Sequence, residues 1–325
     1  MNRFLLPLIG ACLLGLLVLG GCGPSSGAKD DPEQGEKTPE AVIGVSVLTL
    51  TNPFFRDLAD AMKDEAARHN YELIVTSGEL LVANQKDQIN DFIVKKVNAI
   101  VLCPCDSKAI GTSIVKANKA GIPVFTADIA STAEEAEVVC HVASDNLGGG
   151  REAAKAVIEM ISGKGKVVVI DRAEVESAML RVQGFKEQLA KAPDIELLGI
   201  LPGYGDKKQS FTAAEDALQS HPDLDGIFGI NDPAALGIVA AVEKAGKAGR
   251  VQVVGFDAMP EGRIGVKDGK LYATIVQYPD QIGRTTIDAI ARYRAGEEVE
   301  PKILIPCTIY RKADADIDPT LAASQ

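Results

Sequence analysis

The sequence predicts an α/β protein of two lobes, each built on a parallel β-sheet. From Ala41 onward, short runs rich in Val and Ile alternate with longer amphipathic stretches. Alternation of this kind predicts βαβ units, in which helices cover both faces of a sheet and the strands are apolar on both sides. About ten strand-like runs are too many for one small core, and roughly 280 residues suffice for two lobes.

The predicted strands come at regular intervals along this part of the chain. They cover residues 43–50, 71–77, 98–104, 122–128, 138–144, 166–171, 195–201, 226–231, 251–257 and 272–278. The stretches between them carry apolar residues at helical spacing, which predicts the connecting helices. Asn231 and Asp232, followed by Pro233, predict the capped start of one helix. Three glycines at 148–150 follow a strand, and we interpret them as sites of close helix packing.

The N-terminus has the composition of an export signal. Arg3 precedes an uninterrupted apolar run that ends in Leu-Gly-Gly-Cys at residues 19–22. A cationic start, a short apolar stretch and a small-residue cleavage site are typical of signal peptides. The segment resembles a bacterial lipoprotein signal, which implies removal of residues 1–21 and a lipid on Cys22. A plain membrane anchor and ordinary secretory cleavage are the alternatives. Residues 22–40, rich in Gly, Pro and charged residues, then predict a flexible tether.

Charge and cysteine content exclude several classes of partner. The net formal charge is −11, and it becomes −12 without residues 1–21, which hold one Arg and no carboxylate. Nucleic acids and anionic membranes select basic patches, so neither is expected as a partner. Four cysteines remain after the signal, at positions 103, 105, 140 and 307. Their spacing does not match a metal site, so we predict buried thiols, no metal and no cofactor; a disulfide stays open in an exported protein.

Polar and aromatic side chains stand where the predicted strands end. In open parallel sheets, ligands bind beyond the carboxyl ends of the strands. The polar and aromatic residues that stand there include Asn52, Phe54, Phe55, Asp128, Ser144, Asn231, Asp257 and Gln277, and Arg181 lies on the helix that follows the strand ending at Asp171. Asp171, Arg172, Tyr204 and Asp232 stand at strand ends as well. Carboxylate, carboxamide and guanidinium groups bind neighbouring hydroxyls, and rings cover the C–H face of a sugar. The set therefore favours a small polyol ligand.

Structural roles compete with this interpretation. Asn52, Asn231 and Ser144 are also common turn or cap residues. Phe55 begins an apolar helical face, so Phe54 is the better candidate for a ring against the ligand. Asp128 follows an apolar strand, as Asp257 does, and a buried carboxylate needs a partner. Arg181 or a bound hydroxyl can fill that role.

The chain lacks the marks of an enzyme. His69 ends a predicted helix, His141 lies within a strand and His221 lies in a loop, so none is placed as a general base. The nucleotide-binding, metalloprotease and serine-hydrolase motifs are absent from the sequence. Nothing sets the separation that a glycosidase needs between two carboxylates. We therefore predict a binding protein without catalytic activity.

Seven short motifs occur in order along the chain. They are TNPFF (51–55), IPVFTAD (122–128), HVASDN (141–146), IFGIND (227–232), VVGFD (253–257), DGKLYATI (268–275) and PDQIG (279–283). Together they resemble the type I periplasmic sugar-binding proteins, most closely the ribose-binding group. The resemblance covers Ala41 to Lys312. It implies two Rossmann-like lobes joined by a three-segment hinge near Ser144, Gln277 and Pro306.

The resemblance also implies domain limits and a function. One lobe would comprise residues 41–144 and 278–306, and the other residues 145–277 and 307–325. A monosaccharide would lie in the cleft between the lobes, with its ring sandwiched by Phe54 and Phe256. The resemblance implies ligand contacts on one side from Asn52, Phe54, Phe55, Asp128 and Ser144, and on the other side from Arg181, Asn231, Phe256, Asp257 and Gln277. The protein would be the substrate-binding lipoprotein of an ABC-type sugar importer, a monomer that delivers sugar to a membrane permease. A sensory receptor domain that reports to a histidine kinase or chemoreceptor is the alternative. Sugar-responsive repressors share the fold but need a DNA-binding segment, which residues 1–40 do not provide.

Four positions depart from the ribose-binding pattern. Ile129 stands in place of an Arg and Leu48 in place of a Ser. Cys103 stands in place of an Asn in the third-strand motif and is itself a predicted ligand-binding residue. Gly205 stands in place of an aromatic residue, with Tyr204 adjacent. Loss of a guanidinium and a carboxamide removes hydrogen-bond donors, which leaves two alternatives: the ligand is a different sugar, such as a deoxy or larger one, or water fills the gap. A ligand of the sugar class is expected in both cases.

Overall fold

A computed structural model describes residues 38–321 of the 325-residue chain. The predicted signal peptide, most of the tether and Cys22 lie outside the described residues, so their predictions stand as made. Within residues 38–321, no helix combines the length and the apolar character needed to cross a membrane.

Twelve strands form two six-stranded sheets in the described part of the chain. The first sheet holds β1 (Ala41–Val47), β2 (Tyr71–Ser77), β3 (Ala99–Leu102), β4 (Val124–Ala127), β5 (Cys140–Ser144) and β11 (Lys302–Ile305). The second holds β6 (Gly165–Asp171), β7 (Ile195–Pro202), β8 (Gly226–Gly229), β9 (Gln252–Asp257), β10 (Ala273–Val276) and β12 (Thr308–Arg311). The strand orders are β11-β5-β4-β3-β1-β2 and β12-β10-β9-β8-β6-β7.

The ten predicted strands correspond to β1–β10, and two further strands were not predicted. β11 and β12 have four residues each, and their partly exposed side chains produce no strong apolar run. β11 is parallel to β5, whereas β12 pairs antiparallel with β10. Both sheets are therefore predominantly parallel, as predicted, and β12 is the one antiparallel strand among the described residues. Two residues separate β11 from β12, and β12 begins opposite the carboxyl end of β10, where Thr308 pairs with Val276, so it runs antiparallel to β10.

Helices cover both sheets, as βαβ connections require. They are α1 (Pro53–Arg68), α2 (Val82–Lys95), α3 (Gly111–Lys119), α4 (Asn146–Met160), α5 (Glu176–Leu189), α6 (Lys207–Ser220), α7 (Asp232–Lys244), α8 (Pro260–Lys267), α9 (Pro279–Arg294) and α10 (Lys312–Ile317). α9 packs against α1, β4 and β5 of the first sheet, although it follows β10 of the second. The first lobe thus contains α1–α3 and α9, and the second contains α4–α8 and α10.

The chain passes between the lobes three times. It leaves the first sheet after β5, returns after β10, and crosses again between β11 and β12. Where the chain first enters the second lobe, α4 packs closely against α5, the helix that contains Arg181. A Cβ atom at Gly150 would overlap the carbonyl group of Arg181, and one at Gly184 would overlap that of Leu147. The interpretation of the glycine run as a packing site is confirmed, and this contact fixes the backbone at Arg181.

Candidate functional site

A cavity of about 630 Å³ lies between the two lobes. Its wall is built at the carboxyl ends of β1, β4, β6, β8, β9 and β10, together with the first turns of the helices that follow. Cavities of this size are typical of small-molecule sites. Parallel strands bring residues from distant parts of the sequence to this one edge of each sheet.

Eight of the eleven predicted ligand-binding residues line the cavity. They are Asn52, Phe54, Phe55, Asp128, Arg181, Asn231, Asp257 and Gln277. The other three do not belong to its wall. Cys103 is fully buried in the core of the first lobe, Ser144 is buried at the first crossing, and Phe256 is 0% exposed. A ligand contact for these three stays a prediction, because each of them is buried and outside the cavity wall in this structure.

The aromatic residues are arranged differently from the predicted sandwich. The rings of Phe54 and Phe55 pack edge to face with centroids 5.1 Å apart, and both line the cavity. The sequence analysis favoured Phe54 over Phe55 as the ring against the ligand, whereas both rings line the cavity in the structure. The guanidinium of Arg181 lies over the ring of Phe256, 3.8 Å from its centroid. Phe256 thus supports Arg181 through a cation–π contact, and its ring face is not presented to the cavity in this structure.

Arg181 is the best-anchored cation of the cavity wall. Its Nε donates to Asn146 Oδ1 at 2.8 Å, and its Nη1 donates to the carbonyl oxygen of Ile230 at 2.9 Å. Nη1 also lies 3.6 Å from Asp257 Oδ1. Of the two carboxylates proposed as its partner, Asp257 is the one within ion-pair distance. A buried guanidinium held on three sides can present its remaining donor edge to a ligand with little loss of entropy.

The carboxylates of Asp257 and Asp232 are both buried at this edge of the second sheet. Asp257 accepts a hydrogen bond from Gln277 Nε2 at 2.6 Å, and Asp232 accepts bonds from Thr274 Oγ1 and the Met259 amide at 2.7 and 2.8 Å. Burial raises the pKa of Asp257 to about 6, although the charge of Arg181 opposes the shift. Burial likewise raises the pKa of Asp232 well above its ordinary value. Both carboxylates therefore line the cavity with little access to solvent.

Asp128 faces the cavity from the first lobe without a partner for one oxygen. Its side chain is 3% exposed, and Oδ1 forms no hydrogen bond within the described structure. Burial raises its pKa to about 7, and Arg181 acts in the opposite direction. Its φ of 63° places the backbone in the left-handed region. A buried oxygen without a donor costs about 1–3 kcal/mol, which a ligand hydroxyl would recover.

Half of the described side chains with an unpaired buried polar atom belong to the cavity wall. In the described part of the chain, six side chains contain such an atom: Asp128, Ser144, Asp171, Arg172, Glu176 and Gln277. Asp128, Arg172 and Gln277 belong to the cavity wall. Most buried polar groups in native proteins are paired, so unpaired ones need a specific explanation. Their position supports a ligand that both donates and accepts hydrogen bonds.

Asn52 and Asn231 combine the two roles that the sequence left open. Asn52 Oδ1 accepts from the Phe54 amide at 3.0 Å and begins α1, while Asn231 Oδ1 accepts from the Ala234 amide at 2.9 Å and begins α7. Both residues also line the cavity. A cap oxygen fixes the side chain, which leaves the amide group oriented by the helix start. Capping and ligand contact are therefore compatible here.

The cysteines are free thiols in the described structure. Cys103, Cys105 and Cys140 are buried and Cys307 is partly buried, with no disulfide among them. Burial raises the pKa of Cys105 and Cys307 to about 12, so neither thiol is a reactive thiolate. Within residues 38–321, one group of three potential metal ligands was found, and it is not part of the cavity wall. It consists of Glu65, His69 and Asp288.

Arg172 and Asp232 are two wall residues absent from the predicted ligand set. Both stand at strand ends in the sequence, so the signal that selected the other residues also marked them. Nothing in the local sequence separated their side chains from ordinary loop and cap residues. Of the four departures, Leu48 and Gly205 line the cavity, whereas Ile129 and Cys103 are buried behind it.

Comparison with known sequences places this architecture in a family. A model of the periplasmic binding protein domain matches residues 43–298. The ribose import binding protein of Salmonella typhimurium is 36% identical over 261 residues, which is 80% of this chain and 87% of the relative. The ribose import binding protein of Bacillus subtilis is 32% identical over 295 residues, which is 90% of this chain and 94% of the relative.

Solved structures confirm the predicted fold class. An ABC transporter solute-binding protein from Actinobacillus succinogenes, solved with bound D-allose, aligns with a TM-score of 0.79 at 30% identity, covering 85% of this chain and 99% of that one. A solute-binding protein from Agrobacterium vitis, bound with α-D-tagatopyranose, aligns with a TM-score of 0.82 at 28% identity, covering 87% and 98%. With its two α/β lobes and three-segment hinge, the chain belongs to the periplasmic binding protein family of type I fold.

Proposed function

We propose that this protein is the substrate-binding lipoprotein of an ABC-type sugar importer and binds a monosaccharide between its lobes. The observation that supports this most directly is the set of unpaired buried polar atoms at the cavity, from Asp128, Arg172 and Gln277. Together they offer two acceptor oxygens and one donor. A polyhydroxylated ring can donate to and accept from such groups at once, and the paired rings of Phe54 and Phe55 provide apolar contact.

Alternative ligand classes fit the wall less well. A purely apolar ligand would leave Asp128 Oδ1 and Gln277 Oε1 without donors inside a closed cleft, at a cost of about 1–3 kcal/mol for each atom. A multiply charged anion would face the buried carboxylates of Asp128, Asp232 and Asp257. Relatives that import ribose and bind D-allose or tagatopyranose agree with the sugar class. No catalytic step is part of the proposal, and the ligand leaves the cleft unchanged.

A thermal-shift screen tests this function. The purified protein is heated with D-ribose, D-allose, D-tagatose and related monosaccharides, and hits are measured by calorimetry. A ligand at a hundredfold excess over Kd adds about 2.7 kcal/mol, which raises the Tm by roughly 5 °C. Asp128→Asn serves as the control that folds but binds weakly. If no sugar raises the Tm of the folded protein, or if a sugar is chemically converted during incubation, the proposal is wrong.

Lipid attachment at Cys22 and delivery to a membrane permease complete the proposed role. The lipobox-like Leu-Gly-Gly-Cys at residues 19–22 supports the anchor. We predict that Cys22→Ser shifts the protein from the membrane fraction to the aqueous fraction on detergent phase separation. Cys12→Ser, a change within the predicted signal, is the matched control and should leave the protein in the membrane fraction. Retention of the Cys22→Ser protein in that fraction would contradict lipidation at this residue.

A further inference from the structure

Arg172 spans the cleft from the second lobe to the first. It follows β6 and lines the cavity. Its Nη2 donates to the carbonyl oxygen of Cys105 in the first lobe at 3.4 Å, and its Nη1 donates to that of Tyr204 in its own lobe at 3.3 Å. Both distances exceed the roughly 2.7–3.2 Å that is usual for an N–H···O hydrogen bond. Arg172 is therefore placed across the cleft but is held loosely by the protein.

The guanidinium of Arg172 is not compensated as that of Arg181 is. Arg181 has a carboxylate, an amide oxygen, a carbonyl oxygen and an aromatic ring around it. Within residues 38–321, no carboxylate forms an ion pair with Arg172, and its buried Nε has no hydrogen-bond partner. Burial lowers the pKa of Arg172, although the nearby charge of Glu174 opposes the shift. A buried N–H of a cation without an acceptor is unfavourable unless a ligand supplies the acceptor.

The residue beside the Arg172 side chain is a glycine, Gly205. Gly205 lines the same wall, and a Cβ atom there would lie 3.6 Å from Arg172 Cδ and 3.0 Å from Asn231 Nδ2. Its φ of 63° also disfavours a side chain. The aliphatic part of Arg172 therefore lies in the space next to Gly205. A planar guanidinium in that position can lie against a sugar ring and donate in its own plane.

We propose that Arg172 determines ligand specificity by donating its Nε–H to an oxygen substituent of the bound sugar. The proposal rests on the proposed function, and it names the chemistry at one end of the cleft. At that end of the cleft the ligand has an acceptor oxygen, and analogues that lack this oxygen are bound more weakly than the ligand itself. Within residues 38–321, no hydrogen bond or ion pair joins Arg172 to Asp128, Asp257 or Gln277, so we expect these three residues to contact other atoms of the ligand.

A merely structural role for Arg172 makes a different prediction. If the residue only joins the lobes through Cys105, its loss weakens binding of every ligand by the same factor. If it contacts one oxygen, its loss weakens binding of ligands with that oxygen and hardly affects analogues without it. The ratio of affinities within a pair of sugars that differ at one carbon therefore separates the two roles.

Calorimetry of paired sugars tests the proposal. The pairs are D-ribose with 2-deoxy-D-ribose and D-allose with 6-deoxy-D-allose, together with D-galactose, D-fucose and D-galacturonate. The variants are Arg172→Met and Arg172→Lys, and Arg151→Met on the outer face of α4 is the matched control, because its guanidinium pairs with Glu187 outside the cleft. Thermal unfolding without sugar checks that each variant is folded.

For the sugar with the contacted oxygen, we expect Arg172→Met to weaken binding about tenfold to a hundredfold, and Arg172→Lys to weaken it less. Binding of its deoxy analogue should change less than about threefold. A larger loss for galacturonate than for galactose would identify the acceptor as a carboxylate. An equal loss for all sugars, or none, overturns the role of Arg172 and leaves the proposed function intact. If the wild-type protein binds no sugar of the panel, both proposals are overturned.

Discussion

Asp128→Asn should stabilise the unliganded protein while it weakens ligand binding. The side chain is 3% exposed and its Oδ1 is unpaired, so removal of the charge relieves a desolvated carboxylate. Asparagine has the same shape and tolerates the φ of 63° at this position, which alanine does not. The alanine variant would add backbone strain to the loss of the carboxylate and would therefore be harder to interpret.

The magnitude follows from the pKa of the group. Burial raises the pKa of Asp128 from 3.8 to about 7. Each pKa unit corresponds to about 1.4 kcal/mol, so the ionised form destabilises the fold by at most about 4 kcal/mol. The new amide N–H groups are themselves partly unpaired and offset some of this gain. We expect Asp128→Asn to raise the free energy of unfolding by about 1–2 kcal/mol at about pH 8.

The pH dependence of stability tests whether the charge of Asp128 destabilises the folded protein. Because the folded-state pKa of Asp128 is raised, the folded protein binds more protons than the unfolded chain between pH 3.8 and about 7. The contribution of this group to stability is therefore full below the unfolded pKa and is lost as the pH rises through the folded pKa. The advantage of the asparagine variant over the wild type should be small at about pH 4 and largest at about pH 8.

Urea unfolding of the unliganded protein, followed by circular dichroism across this pH range, measures the effect. Asp194→Asn, on an exposed turn, is the control and should change the free energy of unfolding by less than about 0.5 kcal/mol. Calorimetry should show a loss of sugar affinity of about tenfold or more for Asp128→Asn. A variant that is less stable than the wild type at about pH 8 would refute the reasoning, since the carboxylate would then be paired or solvated.

Two further substitutions test the anchoring of the cleft. Arg181→Met should abolish tight binding and also lower the free energy of unfolding by about 3–5 kcal/mol, because it removes the counter-charge of the buried Asp257 and the donor to Asn146. A variant as stable as the wild type in urea unfolding would contradict this. Ser107 joins the lobes, since its amide donates to the Glu174 carbonyl at 3.0 Å and its Oγ accepts from the Glu176 amide at 2.9 Å. Ser107→Ala should weaken binding of every sugar alike by about fivefold, with a larger radius of gyration in X-ray scattering; a loss confined to particular sugars would argue against an interlobe role.

Local patterns in the sequence were sufficient for most of the fold. Alternating apolar runs and amphipathic stretches predicted β1–β10 and the helices between them, because burial on both faces of a parallel sheet imposes that pattern. The cap at Asn231 and the packing glycine Gly150 were also readable locally. β11 and β12 escaped prediction, since four-residue edge strands with alternating exposure leave little trace in composition.

The site could be predicted as a set of residues but not as an arrangement. Parallel topology brings strand ends to one edge, so Asp128, Asp257 and Gln277 could be expected to share a cavity before any coordinates. Which carboxylate pairs with Arg181, and which ring supports it, depends on the positions of chain segments far apart in sequence. The structure pairs Arg181 with Asp257 and places it over Phe256.

Arg172 illustrates the limit most clearly. In the sequence it is one loop residue after a strand. Three features are visible only in the folded chain: its hydrogen bond to Cys105 in the other lobe, its position beside Gly205, and the lack of a carboxylate partner within residues 38–321. Periodicity and turn chemistry act over a few neighbouring residues and can be read along the chain. The pairing and desolvation of charges act through space, and the packing of two lobes decides them.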